Sequence, residues 1–185
     1  MFSRKFAPTD ILLILVLAAL AAFIISSFRR QSRSAEKYAS PVGAQEITGA
    51  AIIDDGDSLK INGRRIRLVG IDAPELHQNC EKGGAIYACG AIAKEHMRAL
   101  IAGRQVRCRW AETDKYHRLL GHCYAGETDL NRSMVIDGWA VDYSYASDGD
   151  NHYKREERAA RAAKRGIWAG TFERPKNWRK HHPRY

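Results

Sequence analysis

Asn62-Gly63, set between 58–61 and 64–71, constrains this chain more than any other dipeptide in it. A two-residue hairpin turn needs positive φ at both central positions, which glycine takes freely and asparagine tolerates. The spacing predicts two antiparallel strands closed by that turn. The returning strand ends in an unusual way. "RLVGIDAPE", Arg67 to Glu75, begins with Leu68, Val69 and Ile71, which suit a barrel interior, and then delivers Asp72, a proline and Glu75. Ala73 precedes Pro74 and so avoids the α region, which keeps "DAPE" extended or turned. A strand that leaves its core carrying carboxylates points to a site rather than to packing.

The remaining pattern predicts a further strand over 46–54, separated from 58–61 by "DDGD". A helix follows with Ile92, Met97, Leu100 and Ile101 on one side and Gly103 as its stop. Strands over 105–112 and 119–125 flank "TDKYHR". Short helices over 130–137 and 154–165 end at Gly138 and Gly166. Five short strands with about three helices inserted late in the order predict an α+β chain, a small closed β-barrel with helices packed on it.

Ahead of this domain, 11–28 carries no charged residue. As a helix it would run about 27 Å, enough for a hydrocarbon core. It exceeds the apolar stretch of a secretory signal and lacks a convincing A-x-A cleavage site, so the expectation is an uncleaved transmembrane anchor. The chain then divides into a flank (1–10), the anchor (11–28), a polar linker (29–44), the folded domain (45–170) and a basic C-terminal tail (171–185). With 30 Lys and Arg against 21 Asp and Glu, the formal charge is +9 and the pI about 9.6. Such a chain meets polyanions, either nucleic acid or an acidic membrane surface. The basic tail alone would also suit a membrane-surface adaptor.

Cys80, Cys89, Cys108 and Cys123 allow three pairings and contain no C-x-x-C. Cys108 and Cys123 lie on the strands flanking "TDKYHR" and can face each other, leaving Cys80 and Cys89 to close a local loop. Four free buried thiols are the other reading. Two disulfides place the domain on an oxidising side. Arg29, Arg30 and Arg33 outnumber Arg4 and Lys5, which by the positive-inside rule argues for the opposite side. The cysteines decide: the expectation is an inner-membrane, single-pass chain with its domain in the periplasm.

Phosphodiester cleavage needs a cation on the phosphate, a base for water and donors for the transition-state charge. Asp57 stands where the hairpin begins and Asp72 just past its return, so the turn folds them toward one another. Two carboxylates with a backbone carbonyl suit Ca²⁺. Glu75 lies three residues on, and Arg67 and Arg118 offer planar forks for phosphate. Taken singly, Asp57 reads equally as a turn residue and both arginines as solvated surface charges.

"DGD" (55–57), "RLVGIDAPE" (67–75), "DKYHR" (114–118) and "ERAARAAKRGIW" (157–168), in this order, resemble the thermonuclease family, the staphylococcal-nuclease-like domains. The resemblance covers 46 to about 168. It implies an OB-fold barrel with helices and a calcium-dependent phosphodiesterase acting on DNA and RNA that releases 3′-phosphate ends. By motif, Asp57, Asp72 and the carbonyl of Ala73 match the calcium ligands, Glu75 the general base, and Arg67 and Arg118 the phosphate-binding arginines. Lys115 and Tyr116 match residues on a neighbouring phosphate, and Tyr143 and Tyr145 match aromatics beside the nucleotide. Residue 73 is alanine where threonine is common, and His117 stands where glycine is frequent. The four cysteines resemble those of secreted or periplasmic members. A monomer is expected. The competing reading is a non-catalytic, membrane-tethered OB-fold module that binds nucleic acid without cutting it.

Overall fold

The structure is a computed structural model that describes residues 45–143 and 153–182. The apolar stretch 11–28, the linker, Tyr145 and the last three residues lie outside the described set. Among the described residues, no helix is long and apolar enough to cross a membrane.

The hairpin forms as the dipeptide requires. Strands β3 (Ser58–Ile61) and β4 (Arg64–Leu68) pair antiparallel with Ile61 opposite Arg64. Asn62 and Gly63 take φ of 49° and 76° in the turn between them. Before it run β1 (Gln45–Gly49) and β2 (Ala51–Ile53), separated by Ala50 alone. After it come β5 (Ile71–Asp72), the hairpin of β6 (Cys80–Lys82) with β7 (Ala85–Tyr87), and helix α1 (Cys89–Ile101). Then follow β8 (Val106–Thr113), β9 (Leu119–Ala125), β10 (Thr128–Asp129), α2 (Leu130–Ile136) and β11 (Val141–Asp142). Helices α3 (Lys154–Ala162) and α4 (Pro175–His181) complete the domain, with a short 3₁₀ turn (Gly166–Ala169) between them.

The main sheet runs in the order β1-β8-β9-β4-β3-β2. Its two end strands are therefore joined by a single residue. With neighbouring strands about 4.8 Å apart, one residue cannot span an open sheet of this width, so the sheet curls on itself. Counting β1 and β2 as one bent strand gives the five strands read from the sequence, with β4 and β9 parallel and the other pairs antiparallel. This α+β arrangement of a curled sheet and four helices is consistent with an OB-fold.

Inside the curl, Leu59, Ile61, Ile66, Leu68, Val106, Leu119 and Ala125 are almost fully buried, capped by Leu130 and Met134 of α2. Strand β9 shows why the pattern was legible: its residues alternate strictly between buried and half-buried. Helix α1 buries Met97 and Ile101 as expected, but Ala93 in place of Ile92. Cys89, Ala93, Met97 and Ile101, four residues apart, face the core, while Ile92 is 39% exposed. The small Ala93 lets the helix lie close to the sheet, and close approach outweighs the larger apolar surface of Ile92.

Both disulfides form as expected. Cys108–Cys123 joins directly opposed residues of β8 and β9, and Cys80–Cys89 ties the β6–β7 hairpin to the start of α1. Around the latter a second small core gathers Val141 and Ile167 with Tyr87, Trp139, Trp168 and Phe172. The segment read as a basic tail is part of the fold as far as residue 182. Thr171 pairs with Glu81, and Pro175 opens α4, where a missing N–H costs nothing.

One buried polar residue locks the end of the return strand to the barrel. Asn131 accepts from the Cys123 N–H at 3.0 Å and donates to the carbonyls of Val69 and Gly121 at 2.9 and 3.1 Å. Asn131→Ala strands these groups, so it should cost on the order of 3 kcal/mol in a urea denaturation midpoint. A loss below about 0.5 kcal/mol would show that water replaces the side chain.

Candidate active site

The return strand leaves the main sheet at Gly70, whose φ of 78° turns the chain, and β5 pairs with β11 instead, Asp72 opposite Val141. Asp72 thus arrives fully buried beside the barrel's end rather than in its core. Arg67 explains how a carboxylate survives there. Its guanidinium donates to Asp57 Oδ1 at 2.9 Å and to Asp72 Oδ1 at 2.8 Å. Asp57 Oδ2 accepts the Ala73 N–H at 2.9 Å. Asp57, Arg67 and Asp72 are all nearly inaccessible. Burial pushes the Asp57 carboxyl up to about 8; Arg67 opposes the rise, and the neighbouring Asp55 and Asp72 reinforce it.

Glu75 sits on a braced loop. Buried Gln78 accepts the Glu75 N–H at 3.2 Å and donates to the Glu173 carbonyl at 2.6 Å. The Gln78 N–H returns to the Glu75 carbonyl at 2.7 Å. Gly90 packs against that same carbonyl so closely that a Cβ there would lie 1.7 Å from the oxygen. Any side chain at 90 would therefore push Glu75 away. Cys80–Cys89 clamps the two ends of this arrangement.

The loop between β8 and β9 carries the third set. A register shift between Trp110 and Thr113 precedes it. Asp114 Oδ1 accepts the N–H groups of Tyr116 and Arg118, and its Oδ2 accepts from Arg118 Nε at 2.7 Å. His117 takes φ 59°, the left-handed conformation that glycine takes more cheaply. The histidine substitution therefore leaves the turn intact. Arg118 lies 5.5 Å from the centre of the Tyr116 ring, and Lys115 lies 5.1 Å from it.

Arg67, Glu75, Lys115, Tyr116, Arg118 and Tyr143 line one cleft of about 980 Å³. Asp57, Asp72 and Ala73 are buried and reach it through Arg67 and the backbone. Tyr145 lies outside the described residues. Sequence reasoning missed Arg179. From α4 it donates to both oxygens of Asp72, at 2.8 and 3.1 Å, and to Glu75 Oε1 at 2.8 Å. Burial would lower its pKa, but the bonds to Asp72 and Glu75 outweigh that and hold it above the ordinary arginine value. The available signal was Trp178 and Pro175 within the basic run, which an unstructured tail does not need.

Among the described residues, no three His, Cys, Asp or Glu side chains gather in a cluster that could hold a metal. Arg67 holds the Asp57 and Asp72 carboxylates together, oxygen donors of the kind hard cations take, and the Ala73 carbonyl would be the third ligand of the expected set. Two cationic side chains already contact these carboxylates, so the local chemistry favours positive charge and fits such an ion.

The model of the family described as staphylococcal nuclease homologue matches residues 65–170. The chain is 36% identical over 133 residues to succinoglycan biosynthesis protein ExoI of Rhizobium meliloti, covering 70% of this chain and 69% of that one. It is 33% identical over 139 residues to an uncharacterized endonuclease of Escherichia coli, covering 71% and 84% respectively. A probable staphylococcal-like nuclease, CAN2, of Oryza sativa subsp. japonica is 31% identical over 157 residues. That match spans 82% of this chain and 40% of the rice protein. Helix α4, with Arg179, lies beyond the matched family segment.

Asp114 yields a test of the loop. Its partial burial raises the carboxyl's pKa, but the N–H groups of Arg118 and Tyr116 and the Arg118 guanidinium lower it further, and the net shift is downward. A lowered folded pKa contributes stability above the unfolded value, and that stability is lost as pH falls through the folded value. Thermal melts should show wild type above Asp114→Asn at neutral pH, with the gap closing in acid. A gap independent of pH would mean that the carboxylate's charge is irrelevant to the loop.

Proposed function

This chain belongs to the staphylococcal nuclease family and is a phosphodiester-hydrolysing enzyme, and from that premise we propose a calcium-dependent nuclease acting on DNA, RNA or both. The observation that carries the reading is the convergence of Glu75, Arg67 and Arg118 on one cleft above two buried aspartates. Glu75 takes a proton from water, and the water oxygen bonds to phosphorus. The P–O5′ bond breaks and the departing oxygen gains a proton, leaving 3′-phosphate and 5′-hydroxyl ends. Arg67 and Arg118 hold the non-bridging oxygens while charge builds on them, a task suited to planar forks. Asp114 keeps Arg118 in place for this. Calcium held by Asp57, Asp72 and the Ala73 carbonyl would supply positive charge at a phosphate oxygen. Lys115 and Tyr116 line the route of a neighbouring phosphate, and Tyr143 offers a ring to a base.

Glu75→Gln keeps the size and removes the basicity, so kcat on single-stranded DNA should fall on the order of 10²–10⁴-fold. Chelation with EDTA should abolish wild-type cleavage. Mg²⁺ should restore it poorly, since it demands near-ideal octahedral geometry. Equal rates in Ca²⁺ and EDTA, or no effect of the substitution, would refute this assignment. Tight DNA binding with no cleavage would instead favour the non-catalytic OB-fold module.

The domain is proposed to work in the periplasm, tethered by 11–28. The two disulfides support this, because they persist in oxidising compartments. A C-terminal alkaline phosphatase fusion should be active in intact cells. An inactive, stably expressed fusion would place the domain on the cytoplasmic side.

A further inference from the structure

Arg179 holds the atoms that the proposed reaction needs. Its fork takes both oxygens of Asp72 and one of Glu75, and Asp72 Oδ1 is shared with Arg67. A cation on Asp72 and a base at Glu75 both require that fork to move. Yet α4 is not loosely attached. The Glu173 carbonyl accepts from Gln78, Arg174 pairs with Glu157, and Arg174 also lies over Trp168. The helix is therefore anchored through residues just ahead of it, and a released Arg179 stays beside the cleft.

The rest of α4 shows where the fork goes next. Lys176, Trp178 and Lys180, with His182 just beyond, line the same cleft as Lys115, Tyr116 and Arg118. Lys176 lies 5.6 Å from the centre of the Tyr143 ring, and the Trp178 and His182 rings stack at 4.2 Å. The helix has no acidic residue. A wall of basic side chains with an aromatic pair is built for a strand's phosphates and bases.

We propose that Arg179 is a mobile phosphate-binding residue: it rests on Asp72 and Glu75 and moves to a substrate phosphate when a cation takes the carboxylates. The inference rests on the nuclease reading above. A guanidinium released from two carboxylates needs another anion, and a phosphate offers the same bidentate geometry. Helix α4 thus holds the two carboxylates and would line the loaded site.

The experiment compares the full-length chain with its Arg179→Gln variant in two binding assays. The first is calorimetric titration with Ca²⁺ alone. Removing the competing cation should tighten Ca²⁺ binding roughly tenfold or more, as expected for lost charge-assisted hydrogen bonds. The second is fluorescence anisotropy of a nuclease-resistant phosphorothioate oligonucleotide in saturating Ca²⁺. The variant should bind it roughly tenfold more weakly. Arg179→Lys keeps the charge without the fork and should fall between the two in both assays. It also replaces the glutamine variant should that one fail to fold by circular dichroism. Tighter Ca²⁺ binding without weaker oligonucleotide binding would make Arg179 a plug and overturn the phosphate role. No shift in either assay, with wild type cleaving DNA normally, would make it a fixed structural tie and overturn the whole inference. Wild type that neither binds Ca²⁺ nor cleaves would overturn the nuclease reading first, and this inference with it.

Discussion

Arg67 is the hinge of this structure. Its main chain pairs with Ser58 in the hairpin, so it stands next to Asp57, and Leu68 beside it donates to the Asp57 carbonyl at 2.9 Å. Its side chain then joins the start of β3 to the end of the return strand through Asp57 and Asp72. Removing one partner of a buried ion pair typically costs 3–5 kcal/mol, because the others stay behind charged and dry. Apolar residues of the same volume would hold the barrel as well or better. The charges are therefore explained by what they do at the cleft, and the fold accommodates them.

That view explains where the strain sits. The curled sheet is regular: a strictly alternating β9, a two-residue turn and an apolar interior. The site is assembled from the loops that leave it. Gly70 turns the chain out, Gln78 and Gly90 fix the Glu75 backbone, and His117 accepts a left-handed conformation so that Asp114 can gather Arg118. Cys80–Cys89 and the small core around it brace the loop carrying Glu75, while Cys108–Cys123 braces the two strands carrying Arg118. A scaffold crosslinked at these points can hold like charges together without spreading.

Most of this was legible in the sequence, for reasons that differ by element. Asn62-Gly63 specified its turn because few other dipeptides can occupy it, and β9 was readable because one of its faces is dry. Arg67, Glu75, Lys115, Tyr116, Arg118 and Tyr143 share a cleft because their motifs are carried by adjacent strand ends. The phase of α1 was readable in part: Met97 and Ile101 face the core as expected, but Ala93 is buried there rather than the larger Ile92. Helix α4 was not readable. Its seven residues bury only Pro175 and show almost no apolar stripe. Its place is set just ahead of it by Arg174 on Glu157 and by Gln78 on the Glu173 carbonyl, contacts across the fold that local sequence pattern does not encode.

The C-terminal helix also changes how the net charge should be understood. A formal +9 spread evenly would serve only for general attraction to a polyanion. Here the basic side chains of α4 and of the 114–118 loop line one cleft, which Glu75 also lines and behind which Arg67 holds two buried aspartates. On the proposed reading, the basic side chains would draw a phosphate strand in, while the buried carboxylates would repel it until positive charge lies over them. Arg67 and Arg179 supply that charge in this structure. A divalent ion exceeds Arg179 in charge and takes less space, so it can replace the guanidinium only if the freed arginine finds an anion. On the proposed reading, the buried carboxylates and the basic helix would act as one device, in which the cation and the strand each make room for the other.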